Sequence, residues 1–209
     1  MVLTNADIAY KIIKEKIITI EMSPGSLIHE SELMEELNLG RTPIREALKQ
    51  LEAESLVVVV PRRGMFVADV QITDLQQIYE VRMTLEGLCA RLASKRATPE
   101  QIEEMESCYQ KMANPDEIDT RELIMIDRHF HRLLAQSARN RFLMGEIELF
   151  YNLSLRLWHL SLQNVAPADL DTDRHAPIVQ AINDRDARRA EELTKQHIHH
   201  FHKTIRALL

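Results

Sequence analysis

Residues 40–48, Gly-Arg-Thr-Pro-Ile-Arg-Glu-Ala-Leu, constrain the fold of this chain more than any other stretch, because they set where a helix starts and which side of it is core. Thr42 has a side-chain oxygen able to cap a helix N-terminus. Pro43 at the first helical position has its φ already fixed and lacks only an N–H that needs no partner there. Ile44, Ala47, Leu48 and Leu51 recur at i, i+3, i+4 and i+7, so one face is buried, and Arg41 and Arg45 are left outside. Upstream, residues 31–37 read as a short helix with Leu33, Met34 and Leu37 inward, and Asn38-Leu39-Gly40 makes a three-residue turn. Two helices joined in this way form a helix-turn-helix, whose second helix offers its N-terminal residues to a DNA major groove.

The following segment extends that unit. Val57-Val58-Val59-Val60 is a β-branched run, Pro61-Arg62-Arg63-Gly64 a turn, and Met65-Phe66-Val67-Ala68 a second short strand. The pattern predicts a hairpin wing with Arg62 and Arg63 at its tip, beside a glycine that lets backbone approach a ligand closely. Alone, two arginines in a turn are a solvated pair; directly after a helix-turn-helix they point to phosphate or minor-groove contact. Ahead of it, Ile8, Ile12 and Ile13, interrupted by Asp7, Lys11 and Lys14, predict an amphipathic helix rather than a leader or a membrane span.

Through Arg41-Thr42-Pro43-Ile44-Arg45-Glu46-Ala47-Leu48, residues 4–70 resemble the winged helix-turn-helix of the GntR family of bacterial transcription regulators. The resemblance implies that Arg41, Thr42 and Arg45 contact operator bases and phosphates and that Gly64 approaches the DNA backbone. Two positions depart from the family pattern. Ser31 stands where relatives usually have arginine, and Gly40 where they usually have serine or threonine, which predicts lower affinity or a different operator.

Charge limits how such a domain can work. Residues 1–70 hold 8 Lys+Arg and 11 Asp+Glu, a net charge of −3, half of the −6 of the whole chain. Nonspecific attraction to DNA is therefore weak, and affinity rests on a local basic edge of Arg41, Arg45, Lys49, Arg62 and Arg63, presented twice by a homodimer. With 209 residues, 45% of them hydrophobic, the chain can bury a substantial core in two domains. Only five glycines and few aromatics point to a mainly α protein. Cys89 and Cys108 have no metal or redox spacing and read as buried thiols of a reducing, cytoplasmic compartment.

From Thr73 to Leu209 the pattern is of long helices. Thr98 and Gln101 are spaced as a capping box. Helices are expected from Thr73, from Thr98, and over about 119–137, 140–162, 174–184 and 186–208, forming an antiparallel all-helical bundle of six. Asn114-Pro115 and residues 164–172 read as loops. Eight of the nine histidines lie in this half, four of them in His197-Ile198-His199-His200-Phe201-His202, which alone would be a solvated helix face. Asp127 and His131, four apart, share a helix face, and His175 and His197 lie on two later helices that a bundle can bring to the same interior point. As a pair, Asp127 and His131 are equally readable as a structural hydrogen bond.

Val81-Arg82-Met83-Thr84-Leu85-Glu86, Asp127-Arg128-His129-Phe130-His131, His175 with Ile178, Ala181 and Ile182, and His197-Ile198 resemble the helical ligand-binding domain of the FadR branch of the same family, the type called FCD. That resemblance implies a divalent metal held by Asp127, His131, His175 and His197. Pro177, in the first turn after His175, is a departure predicted to delay the helix start or tilt His175. Three imidazoles and a carboxylate suit Zn or Ni best, with Mn or Fe also accommodated, and leave one or two positions open at five- or six-coordination. Arg82 is the candidate cationic partner for an anionic effector; its alternative is a salt bridge to Glu86 at i+4. His129, His199, His200 and His202 are assigned to the surface or to positions behind the ligands, and Trp158 to the core.

The chain thus reads as a bacterial transcription regulator with a winged helix-turn-helix (1–70) and a helical metal and effector domain (73–209). As a homodimer it would read a near-palindromic double-stranded operator under control of a small organic acid. The alternative is a metal-dependent hydrolase with a vestigial DNA-binding domain, although no HExxH helix or serine nucleophile motif is present.

Overall fold

The computed structural model describes residues 3–113, 118–161 and 174–208. Among them are nine helices and one two-stranded antiparallel sheet, and the chain divides into two compact units, Met1–Gln71 and Ile72–Leu209. The loops expected at 114–115 and 164–172, and the helix end expected at Leu162, lie outside the described residues.

The first unit contains α1 (Asn5–Ile18), α2 (Glu30–Leu37), α3 (Arg41–Ala53), β1 (Val57–Val60) and β2 (Gly64–Val67). A capping box starts α1: the Thr4 side chain accepts from the Asp7 amide while the Asp7 carboxylate accepts from the Thr4 amide. Ala9, Ile13 and Ile17 are fully buried, as are Ile44, Ala47, Leu48 and Leu51 on α3, against which α1 packs. Ile8 and Ile12 sit on the outer side of that stripe, half exposed.

The start of α3 differs from expectation. Gly40 is the N-cap, without a side-chain hydrogen bond, and the helix begins at Arg41. Thr42 is therefore the second helical residue rather than the cap, and Pro43 the third rather than the first. The shift is physically cheap, because no N–H of the first turn has an intrahelical acceptor and proline loses nothing anywhere within it. The turn before it closes on Asn38, held in the left-handed region at φ +50°, a conformation its short polar side chain tolerates.

The hairpin pairs Val57 with Val67 and Val60 with Gly64, leaving residues 61–63 as the tip. Gly64 has φ +112°, so the wing requires glycine for its conformation, while a Cβ there, 3.1 Å from Leu27 Cδ1, would need only a small shift of that exposed side chain.

The second unit is an all-helical bundle of α4 (Ile72–Arg96), α5 (Pro99–Met112), α6 (Thr120–Ser137), α7 (Arg141–Ser161), α8 (His175–Asn183) and α9 (Ala187–Leu208). Thr98 and Gln101 form the expected capping box on α5, and Asp119 caps α6 by accepting from the Glu122 amide. The long helix α4 runs against α9 and also touches α6, α7 and α8. Cys89, Met105, Phe130, Leu134, Ile178 and Ile182 belong to the shared core, and both cysteines are buried free thiols.

Arginines finish two helix ends. Arg185 Nη1 donates to the carbonyls of Ser94 (3.1 Å) and Ala97 (3.0 Å) at the end of α4, and Arg96 Nη1 donates to the Ala138 carbonyl (2.7 Å) at the end of α6. Each satisfies acceptors that a helix C-terminus leaves open and places a cation at the negative end of the dipole. Arg185→Met keeps the aliphatic stem but strands the Ser94 and Ala97 carbonyls, and is expected to destabilise the helical unit by about 1–3 kcal/mol. Urea unfolding followed by fluorescence of Trp158, the chain's one tryptophan and a residue of this unit, measures it.

Candidate metal centre and nucleic-acid interface

Four side chains from three helices of the bundle meet in its interior. Asp127 and His131 project one turn apart from α6, His175 is the first residue of α8, and His197 lies on the buried stripe of α9 with Ala190, Thr194 and Ile198. All four are buried, and one donor atom from each lies within 4.8 Å of the other three. His175 Nε2 is 2.9 Å from Asp127 Oδ1, His131 Nε2 is 3.8 Å from Asp127 Oδ2, and His197 Nε2 is 3.3 Å from His131 Nε2. Pro177 neither delays α8 nor displaces His175 from the cluster, because it occupies the third helical position, where its missing N–H is immaterial.

The orientation of these rings is set from outside the cluster. His131 Nδ1 meets Glu86 Oε2, so its Nε2 is the nitrogen aimed inward. Glu86 is in turn held by Arg82 Nε at 2.6 Å on the same helix, and the Arg82 guanidinium lies 4.7 Å from the centre of the Tyr151 ring. Arg82 and Glu86 are 5% and 1% exposed, so neither charge is solvated and each depends on the other. The structure therefore contains the salt bridge weighed for Arg82 as the alternative to an effector contact. Tyr151 donates its hydroxyl to Asp127 Oδ2. Phe130 packs edge-on against His175 with ring centres 4.6 Å apart, fixing that ring from the apolar side.

The electrostatics follow from these contacts. Burial pushes the Glu86 carboxyl up, but the charges of Arg82 and His131 outweigh it and hold the group at about 2. Burial likewise opposes ionisation of Asp127, and the surrounding histidines overcome it, keeping the carboxyl well below its usual range. His197 is pushed well below its ordinary value by burial and by His175 and His131, which leaves a neutral imidazole. His131 is raised, with Glu86 and Asp127 prevailing over burial.

The donor set fits a divalent cation. Around one ion at roughly 2.0–2.2 Å, neighbouring ligand atoms stand about 3–4 Å apart, close to the spacings found here. Two imidazole nitrogens facing each other at 3.3 Å beside a carboxylate form an arrangement that a cation between them would stabilise directly.

The other histidines stand apart from this cluster. His129 pairs with Glu104 on the surface at 3.0 Å, and Tyr79 contacts His199 at 2.6 Å. His202 is buried rather than superficial, stacked on Tyr79 with ring centres 4.3 Å apart, because it lies one turn beyond Ile198 on the inward stripe of α9. Trp158 is 3% exposed, as expected for a core residue.

In the first unit, Arg41, Thr42, Arg45, Arg62, Arg63 and Gly64 are all exposed. Arg41 Nε is 4.0 Å and Arg45 Nε 3.3 Å from the carboxylate of Glu30, the first residue of α2. One acid thus gathers both guanidiniums over the start of α3. Arg63 lies 5.8 Å from the centre of the Phe66 ring on the wing. Sequence reasoning had no way to find Glu30 or Tyr151, since each meets its partner across a turn or between helices rather than at a helical spacing.

A model of the FCD domain matches residues 77–200, and a model described as bacterial regulatory proteins, gntR family, matches residues 5–67. The chain is 25% identical over 200 residues to the HTH-type transcriptional repressor RspR of Escherichia coli K12, covering 95% of this chain and 88% of that protein. It is 29% identical over 212 residues to the HTH-type transcriptional repressor GlaR of the same strain, covering 95% and 94%. Among solved structures, E. coli McbR/YncC superposes with a TM-score of 0.89 at 20% identity, covering 99% of both chains, a likeness of fold. These relatives are regulators rather than enzymes, and the hydrolase alternative has no support among them.

Arg82→Met removes one partner of a buried pair and leaves Glu86 with only His131 to compensate it, with an expected loss of about 3–5 kcal/mol. Chemical denaturation read by circular dichroism gives the value, and an unchanged midpoint would show that Glu86 does not depend on Arg82.

Proposed function

This chain belongs to the GntR family of bacterial regulatory proteins and carries an FCD domain, and from that premise we propose that a small carboxylate bound at a divalent metal controls its affinity for operator DNA. It is a DNA-binding transcription regulator. The observation that carries the proposal is the convergence of Asp127, His131, His175 and His197 from three helices onto one buried point.

In this reading those four residues hold the ion, Zn or Ni before Mn or Fe, and the ion supplies Lewis-acid sites for an organic acid. Glu86 fixes His131, and Arg82 places positive charge beside the site for the effector. Arg82 acts from within its ion pair rather than as a free arm.

On the DNA side, Arg41, Thr42 and Arg45 at the N-terminus of α3 enter a major groove, while Arg62, Arg63 and the Gly64 backbone follow the adjacent phosphates. Gly40 supplies no capping side chain, so first-turn amides of α3 stay open to a phosphate. Glu30 competes with DNA for both arginines and favours partners able to displace it. A homodimer presents two such edges to a near-palindromic operator in the cytoplasm. The names of RspR and GlaR, both repressors, favour repression here. Among the described residues no helix is long and apolar enough to cross a membrane.

Arg45→Ala is expected to weaken operator binding by about 1–3 kcal/mol per half-site with the fold intact. Fluorescence anisotropy on the chain's own upstream DNA at matched salt reads it, and wild-type affinity would remove α3 from the interface. His197→Ala is expected to lose most of its bound divalent ion while retaining DNA binding. Elemental analysis after metal loading decides, and full occupancy in the variant, or no metal in the wild type under any loading, overturns the centre. An effector coupled by a typical ~1–3 kcal/mol shifts operator affinity roughly 5- to 150-fold, and operator DNA shifts effector affinity equally. Titration of metal-loaded and chelated protein tests that dependence: carboxylate binding indifferent to metal or without consequence for DNA reduces the ion to a structural staple.

A further inference from the structure

Helix α7 packs on α4, α6 and α9 through one side, which carries Leu143, Ile147 and Tyr151, and leaves the other side of its first two turns uncovered. Phe142, Gly145 and Leu149, spaced three and four apart, share that outer face. Phe142 is 73% exposed, more than any other large apolar side chain among the described residues, and Leu149 is half-buried. Between them stands Gly145, an exposed glycine inside a helix, which it destabilises relative to alanine. Its own chain does not require it, since a Cβ there would meet nothing within 4 Å. An open ring beside a gap that no neighbour fills serves nothing in the fold of one chain, and it marks a contact surface.

What fits this surface is the surface itself. Ring and gap lie one turn apart on the same face, so a second copy turned about a two-fold axis seats each Phe142 over the Gly145 and against the Leu149 of the other. Charge agrees with that arrangement. Arg141 and Glu148 stand seven residues apart on one edge of the face, both exposed, and among the described residues neither is in an ion pair. The Arg141 guanidinium lies over Phe142 instead, 4.6 Å from the ring centre. Two α7 helices laid antiparallel about an axis near residues 144–145 bring Arg141 of each against Glu148 of the other. Laid parallel and in register, they would set like charges together.

We propose that the first two turns of α7 are where two copies of this chain meet, antiparallel, with Phe142 of each packed over Gly145 of the other. The inference rests on the homodimer put forward for operator binding and names its surface in the helical unit. Arg141 and Glu148 set the direction of the pairing, and the missing side chain of Gly145 admits the ring.

Disulfide trapping and analytical ultracentrifugation of the full-length protein test this. Gly145→Cys places one thiol on each side of the axis, and mild oxidation is expected to convert most of that variant to a covalent dimer. The native thiols are buried, and Glu103→Cys, at an exposed position of α5, is the control expected to stay uncoupled. Adding Phe142→Glu to Gly145→Cys should abolish the link. Phe142→Glu alone should raise the dimer dissociation constant roughly hundredfold or more, because symmetry buries the ring twice. Arg141→Glu or Glu148→Arg alone should weaken the dimer severalfold, and the two together should restore it, since their signs match again only across the axis. All four positions are exposed, so circular dichroism of each variant should match the wild type. A dimer that fails to cross-link through Gly145→Cys, or that ignores Phe142→Glu, overturns this surface and leaves the homodimer reading standing. A wild-type protein that stays monomeric at every concentration, with and without operator DNA, overturns both. Charge variants that weaken the dimer without mutual rescue overturn the antiparallel pairing.

Discussion

Buried charge must be compensated, and the helical unit is arranged around that requirement. Asp127, Glu86 and Arg82 are all nearly inaccessible to water in a bundle interior, where each alone would be strongly unfavourable. They are reconciled in series. Arg82 holds Glu86, Glu86 holds His131, and Asp127 faces His131, His175 and the Tyr151 hydroxyl. Because the members come from α4, α6, α7 and α8, with His197 joining from α9, the network can be satisfied only when five helices dock in one arrangement. A change of charge at that point would act on the packing of the whole unit.

The DNA-binding unit works by different physics. Its charges are exposed, its net charge is −3, and its two helix-borne arginines are gathered by one acid, Glu30. Surface ion pairs of this kind contribute little to stability. What they do is orient: Glu30 holds Arg41 and Arg45 together over the N-terminus of α3. An acidic domain with a small basic edge binds DNA through matched geometry more than through bulk attraction.

Much of this was legible in one dimension because periodicity and capping are local. The Ile44, Ala47, Leu48, Leu51 stripe gave the buried face of α3, Thr98 and Gln101 gave the start of α5, and the valine run with a glycine-ended turn gave the wing. Local signals also failed locally. Thr42 had the chemistry of a cap but stands inside the helix, because Gly40 permits an earlier start and nothing in the first turn forbids proline. His202, readable from sequence as either superficial or behind the ligands, is taken by the inward stripe of α9 under Tyr79.

What the sequence determined by itself was most of what neighbours within about one helical turn govern: the helix-turn-helix, the wing, the six bundle helices and the shared helix face of Asp127 and His131, with the Arg82–Glu86 salt bridge legible as one of two readings. The ligand set of four came from resemblance, and its convergence was decided only by tertiary packing, which brings residues 66 positions apart to 3.3 Å. Packing alone also decided that Glu30 spans two arginines, that Glu86 selects the inward nitrogen of His131, and that Tyr151 completes Asp127. Spacing along a chain fixes which face of a helix a side chain occupies, but which faces meet depends on how the helices dock, and that is settled by the summed burial of all of them.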